Sequence, residues 1–159
     1  MEAHDAVFVQ NWTVDSLKHC LTFDYLNYTT TASNCTVNVF SLNRFKNETK
    51  TKGQEFYHSL EQSGILSILM NTRTAMTVDI ESVEFISEGL KTRTLTLIKN
   101  GDEVDETQSI YQYEFEIVMR IKIIGQALDA PIRYIVTTER MSDMVRKSGL
   151  AIRNVISKE

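Results

Sequence analysis

Residues 111 to 123 constrain the fold more than any other stretch. Tyr111, Tyr113, Phe115, Ile117, Met119, Ile121 and Ile123 are apolar, while Gln112, Glu114, Glu116, Arg120 and Lys122 intervene. A period of two cannot lie along one face of a helix, so this is a long strand with one dry side and one wet side. Its partners follow the same pattern. Met76, Val78 and Ile80 alternate with Thr77 and Asp79, and Val83 and Phe85 continue out of phase, which predicts a bulge near Ser82. Residues 93 to 98 alternate again, and Lys99-Asn100-Gly101-Asp102 is a turn signal. Two further strands are expected over 132–138 and 150–156.

The first seventy residues carry a helical pattern instead. Asp5 is a natural N-cap, and Val7, Val14, Leu17 and Leu21 form a stripe flanked by Phe8 and Trp12, predicting an amphipathic helix over 5–21. The aromatic segment Thr22-Phe23-Asp24-Tyr25-Leu26-Asn27-Tyr28 either continues that helix or bends out of it. Thr29, Thr30 and Thr31 offer caps for a second helix reaching about Phe45, weak because it is rich in β-branched residues. Thr51-x-x-Gln54 has the form of a capping box, Phe56 and Leu60 are four apart, and Ser63-Gly64 supplies the stop. Residues 65–70 are a short apolar run of either type. Helices over 5–70 followed by antiparallel strands over 76–157 give an α+β fold, with the helices on the apolar sheet face. One Pro and six Gly leave little for a linker, so residues 1–159 are expected to form one domain.

A net charge of −4 argues against a surface that tracks nucleic acid throughout. The longest stretch without a charged side chain, residues 25–43, is too rich in Asn, Ser and Thr to cross a bilayer. Residues 1–5 lack the basic and apolar regions of a signal peptide, so an export signal is expected to have been removed or never to have existed, and an excised fragment with an added Met fits equally. Cys20 and Cys35 have no metal-ligand spacing. Two readings of them stand: small buried side chains, or a disulfide formed in an oxidising compartment. His19 beside Cys20 does not make an activated thiol, because adjacent helical residues point about 100° apart. His4, His19 and His58 are dispersed and no nucleophile, phosphate-loop or metal motif occurs, so neither catalytic residue, cofactor nor metal is expected. Arg44, Lys46, Lys50 and Lys52 form a basic stretch, and residues 101–106 an acidic hairpin loop; each reads as solvated. Four Asn-x-Thr sequons begin at Asn11, Asn27, Asn34 and Asn47, and a secreted glycoprotein is carried as a minor alternative, with Asn11 expected beside a buried Trp12 where no glycan fits.

The segment Thr22-Phe23-Asp24-Tyr25-Leu26-Asn27-Tyr28 after a Trp-bearing helix, then Phe45, Thr51-Lys52-Gly53-Gln54-Glu55-Phe56, Leu60-Glu61-Gln62-Ser63-Gly64 and the closing Gly149-Leu150-Ala151-Ile152, resembles the periplasmic domain of the DotI/IcmL/TraM family. The chain departs from that pattern in a longer stretch between Tyr28 and Phe45, the acidic insertion at 101–106 and its two cysteines. The resemblance implies a non-enzymatic inner-membrane core component of a type IVB secretion or conjugation system. A membrane helix would precede this periplasmic domain, which would homo-oligomerise and contact other core subunits and a paralogue. It also implies a nuclear-transport-factor-two-like or cystatin-like cone of helices on a curved sheet. The expected contact surface is the wet strand face, Gln112, Glu114, Glu116, Arg120 and Lys122, together with the basic stretch. The alternative of another class is a small-ligand-binding or isomerase-like domain with Tyr113, Phe115 and Asp79 lining its cavity.

Overall fold

The structure is a computed structural model and describes residues 5–46, 48–125, 131–141 and 148–158. Helices α1 (Ala6–Cys20), α2 (Tyr28–Asn38), α3 (Lys52–Gln62) and α4 (Ile65–Thr72) precede four strands, β3 (Ala75–Lys99), β4 (Asp102–Ile123), β5 (Ile132–Arg140) and β6 (Leu150–Ser157). Two-residue strands β1 (Phe23–Asp24) and β2 (Arg44–Phe45) interrupt the helical half. The ladder runs β1-β3-β4-β5-β6 with β2 also on β3, and every strand pair is antiparallel. The α+β order is therefore as the periodicity requires.

The alternation in β4 becomes the core. Tyr113, Phe115 and Ile117 are wholly buried, joined by Met76 and Val78 of β3 and Val136 of β5. β3 and β4 form one long hairpin closed by Asn100 and Gly101, both at positive φ (54° and 84°), which is the two-residue turn that matches strand twist. The sequence shows β3 as two short pieces because residues 84–88 and 90–92 are exposed on both faces, which erases the alternation there. A bulge falls between Ile80 and Ser82, where the phase change places it, and a second between Phe85 and Ser87. The acidic run is not a loop, since Asp102 to Glu106 already belong to β4.

The stripe on α1 is rotated from the expected one. Val9, Thr13, Leu17 and Cys20 are buried, while Val7 and Phe8 are exposed. Thr13 disguises the buried face: its hydroxyl shares a 2.7 Å hydrogen bond with the Thr138 hydroxyl inside the core, so a polar residue stands where an apolar one is sought. Asp5 caps α1 as expected, accepting from the Phe8 N–H at 2.8 Å. Thr51 and Gln54 cap α3 reciprocally, and Gly64 at φ 83° ends the turn into α4, which makes the apolar run at 65–70 helical.

α2 stops at Asn38, seven residues short of the expected end. Its β-branched tail finds a better partner in the sheet: Ile152 N donates to the Val39 carbonyl and Ser41 N to the Ile152 carbonyl, a parallel bridge along β6. Residues 39–46 thus form an extended strap that leaves β6 and ends on the distal half of β3, Arg44 opposite Thr96 and Phe45 opposite Leu95. Alternate side chains go opposite ways, as an extended chain demands. Phe40 packs on Phe56 of α3, whereas Ser41 reaches Glu139 on the other sheet face.

Candidate assembly surface

The distinctive Thr22–Tyr28 segment is a locked turn. Asp24 Oδ1 accepts from the N–H groups of Leu26 and Asn27, both at 2.8 Å, and Asn27 Oδ1 accepts from the Asp24 N–H at 2.7 Å. Phe23 and Tyr28 are buried on either side with ring centroids 5.0 Å apart. The motif therefore turns the chain from α1 into α2 and positions no reactive group. Cys20 at the end of α1 and Cys35 in α2 are joined by a disulfide, their Cα atoms 5.9 Å apart. The Tyr57 hydroxyl of α3 donates to the Cys20 carbonyl at 2.9 Å, so three helices meet at this point. Burial drives the Tyr57 phenol well above its usual range.

The wet face of β4 is less uniform than its alternation suggests. Gln112 is buried, paired in register with the buried Glu139, where the strap crosses this end of the face. Glu139 Oε1 accepts from the Ser41 hydroxyl, while Oε2 makes no hydrogen bond among the described residues. Burial raises this carboxyl above the usual range, against the opposing pull of Ser41 and Arg153. Arg153 is also fully buried, stacked on the Phe45 ring with its carbon 3.4 Å from the centroid, and bonded to the Asn43 carbonyl and Glu48. Burial opposes ionisation of Glu48, but Lys52, the Phe45 N–H and Arg153 together hold its carboxyl below the usual range. A buried aromatic–guanidinium stack closed by carboxylates fixes the strap to the sheet. Toward the other end the face is open. Arg120 pairs with Glu81 at 2.9 Å, Lys122 with Asp79, and Glu116 receives Arg133 at 3.6 Å and Lys158 at 3.4 Å. Glu114 is half-buried, with the Ser87 hydroxyl at 3.5 Å.

The basic stretch and the acidic run, each expected to be solvated alone, meet each other. Arg44 lies 3.4 Å from Glu103 and Lys46 3.7 Å from Asp105, because β2 pairs with β3 beside the hairpin end. Lys52 is held between Glu48 at 2.7 Å and Glu55 at 3.2 Å. Lys50 is exposed and lines an open groove of about 770 Å³ between α2 and α3. Three of the four cations therefore face carboxylates of their own chain.

The isomerase-like constellation does not assemble. Tyr113 and Phe115 are buried on the helix side, with the Tyr113 hydroxyl accepting from Arg140 Nε at 2.9 Å, whereas Asp79 is exposed on the opposite face. Lys122 holds the Asp79 carboxyl below its usual range. An apolar groove of about 470 Å³ exists elsewhere, between α3, α4 and the ends of β5 and β6, and it contains none of the three. Among the described residues no group of three or more His, Cys, Asp or Glu could hold a metal ion, and no helix is long and apolar enough to cross a membrane. His19 and His58 are exposed, and His4 lies outside the described residues. Asn11, Asn27 and Asn34 are exposed and Trp12 is only half-buried, so the burial expected around Asn11 is not found; Asn47 lies outside the described residues.

No family model and no curated protein matches the sequence. Solved structures do. A periplasmic fragment of TraM superposes with a TM-score of 0.70 at 16% identity, covering 99% of each chain. The chain has the fold of this periplasmic fragment. The periplasmic domain of DotI gives 0.69 at 13% identity over 99% of this chain and 97% of that one. An IcmL-like type IV secretion system protein from Legionella pneumophila gives 0.65 at 13%, over 99% and 94%. The likeness to TraM and DotI thus spans the helices, the strap and the whole sheet rather than a shared substructure.

Proposed function

We propose that this chain is the periplasmic part of an inner-membrane component of a type IVB secretion or conjugation system. It acts without catalysis, by homo-oligomerisation and by contact with other core subunits, a paralogue among them. The observation that carries this reading is the end-to-end match to the TraM fragment, 99% of both chains at a TM-score of 0.70. Two features of the molecule support it. A buried disulfide suits an oxidising compartment such as the periplasm. The polar groups at the buried centre tie the strap to the sheet and to one another, which is what a scaffold needs. The sheet is read as the curved wall of a nuclear-transport-factor-two-like or cystatin-like cone, with a membrane helix ahead of residue 1.

The contact surface proposed for other subunits is the open part of the wet face, Glu116, Arg120 and Lys122, with Lys46 and Lys50 of the basic stretch as a separate patch. Its charges are mixed in sign and largely paired within the chain, which suits a protein partner better than a nucleic acid. No cofactor enters this reading. The test is made in the bacterium that carries the gene. Alkaline phosphatase fused to this domain of the full-length product should be active, and deleting the gene should abolish transfer of DNA or protein to recipient cells, with restoration by the wild-type copy. An inactive fusion, or transfer unchanged by the deletion, would overturn the reading.

A further inference from the structure

The β3 strand has β4 on one side for its whole length, but on its other side it is paired only at its ends. β1 takes residues 75 and 76, β2 takes 95 and 96, and among the described residues no strand pairs with the edge between 77 and 93. This open edge carries Phe85, Ile86 and Leu90, which are 44%, 45% and 68% exposed. An open edge of this length is a template for another strand. We propose that it pairs antiparallel with the same edge of a second copy of this chain, about a twofold axis at Glu88.

The register argues for a second copy rather than an unrelated strand. Ile86 is the extra residue of a bulge, looped out of the ladder against β4. With Ile86 looped out in the same way, a twofold at Glu88 sets Phe85 opposite Leu90 and Glu84 opposite Lys91 of the partner. The faces agree. Phe85 and Leu90 lie on the side of Phe115 and Tyr111, while Glu84 and Lys91 lie on the side of Glu116 and Ile110. Each apolar pair and each ion pair then occurs twice by symmetry, as a self-complementary interface requires. The single repulsive contact is Glu88 against its own copy on the axis. Its carboxylate accepts from the Tyr111 hydroxyl of its own chain at 3.0 Å, which anchors it to β4.

This deepens the assembly reading by naming one surface and one partner. The test is sedimentation of the 159-residue chain up to millimolar concentration, for the wild type and four variants. Glu84→Lys or Lys91→Glu alone should weaken association about tenfold, because each makes two like-charge pairs. The double variant, which restores opposite charges, should recover the wild-type affinity, and Glu88→Gln should exceed it. A chain that stays monomeric throughout overturns the edge pairing, as does one that associates without responding to the charge swap. Neither result touches the transfer assay, which tests the assembly reading separately.

Discussion

Gly53, in the first turn of α3, lies directly against the backbone of α2. A Cβ built there would sit 2.7 Å from the Thr36 Cα of α2 and 3.0 Å from both its Cγ2 and its Oγ1. Comfortable carbon–carbon separations are about 3.5–4.0 Å, so the helices would have to separate by the better part of an ångström. They are not free to do so. The disulfide pins α2 to α1, and the Tyr57 hydroxyl pins α3 to the same point. Overpacking against backbone falls in the upper part of the usual range, about 2–3 kcal/mol, and Ala returns roughly 1 kcal/mol through helix propensity. Gly53→Ala should therefore destabilise by about 1–2 kcal/mol, a fall of roughly 3–6 °C in Tm for a chain of this size. Urea unfolding of Gly53→Ala, Thr36→Gly and the double variant measures it. Thr36→Gly removes Cγ2 and Oγ1 but leaves the backbone carbon in the way, so the cycle should show only partial coupling. A Gly53→Ala variant as stable as the parent would refute the close approach, and full recovery in the double variant would move the clash from backbone to side chain.

The Cys20–Cys35 bridge closes a loop with a sequence separation of 15, so Cys20→Ala with Cys35→Ala should lose about 3 kcal/mol in urea, a loss reproduced by reductant only once the buried sulfurs are exposed. Asp24→Ala strips the partners from two N–H groups of the turn and should lose about 1–2 kcal/mol, with Asp24→Asn losing less. Glu139 has its folded pKa raised by burial, so the native state binds the extra proton and stability should fall as pH rises from the unfolded value through the folded one. Glu139→Gln should remove that slope, read from urea midpoints across a pH series. Glu48, with its folded pKa lowered, works in the opposite sense: its contribution is present above the unfolded pKa and lost as pH falls through the folded one, and the Glu139→Gln variant should keep that acid limb unchanged.

What the sequence makes legible here are the features whose cause is local. The dry side of β4, the Asn100-Gly101 turn and the caps at Asp5 and Thr51 each depend on a handful of adjacent residues, and each is found in place. The Thr22–Tyr28 segment is recognisable as a pattern without its reason being visible. That reason is the reciprocal Asp24–Asn27 hydrogen bonding, which any chain making this turn between two helices can reuse. The illegible features share a different cause. Alternation says which residues share a face but not what covers the face, so Gln112 reads as solvent-exposed until the strap is seen to lie over it and its neighbour Glu139.

The same limit applies to charge. Arg44 and Glu103 are 59 residues apart, and nothing near either one names the other. Their meeting follows from β2 joining β3 near the closed end of a hairpin whose length the exposed middle of β3 hides. Two runs of opposite sign in one chain are a signal of mutual pairing, and their matching order, Arg44 with Glu103 and Lys46 with Asp105, is the trace an added strand leaves in sequence. These exposed pairs follow the register that the β2–β3 ladder sets rather than impose it. Exposed cations that the chain has already engaged in this way are poor candidates for binding an outside polyanion, whatever their density in the sequence.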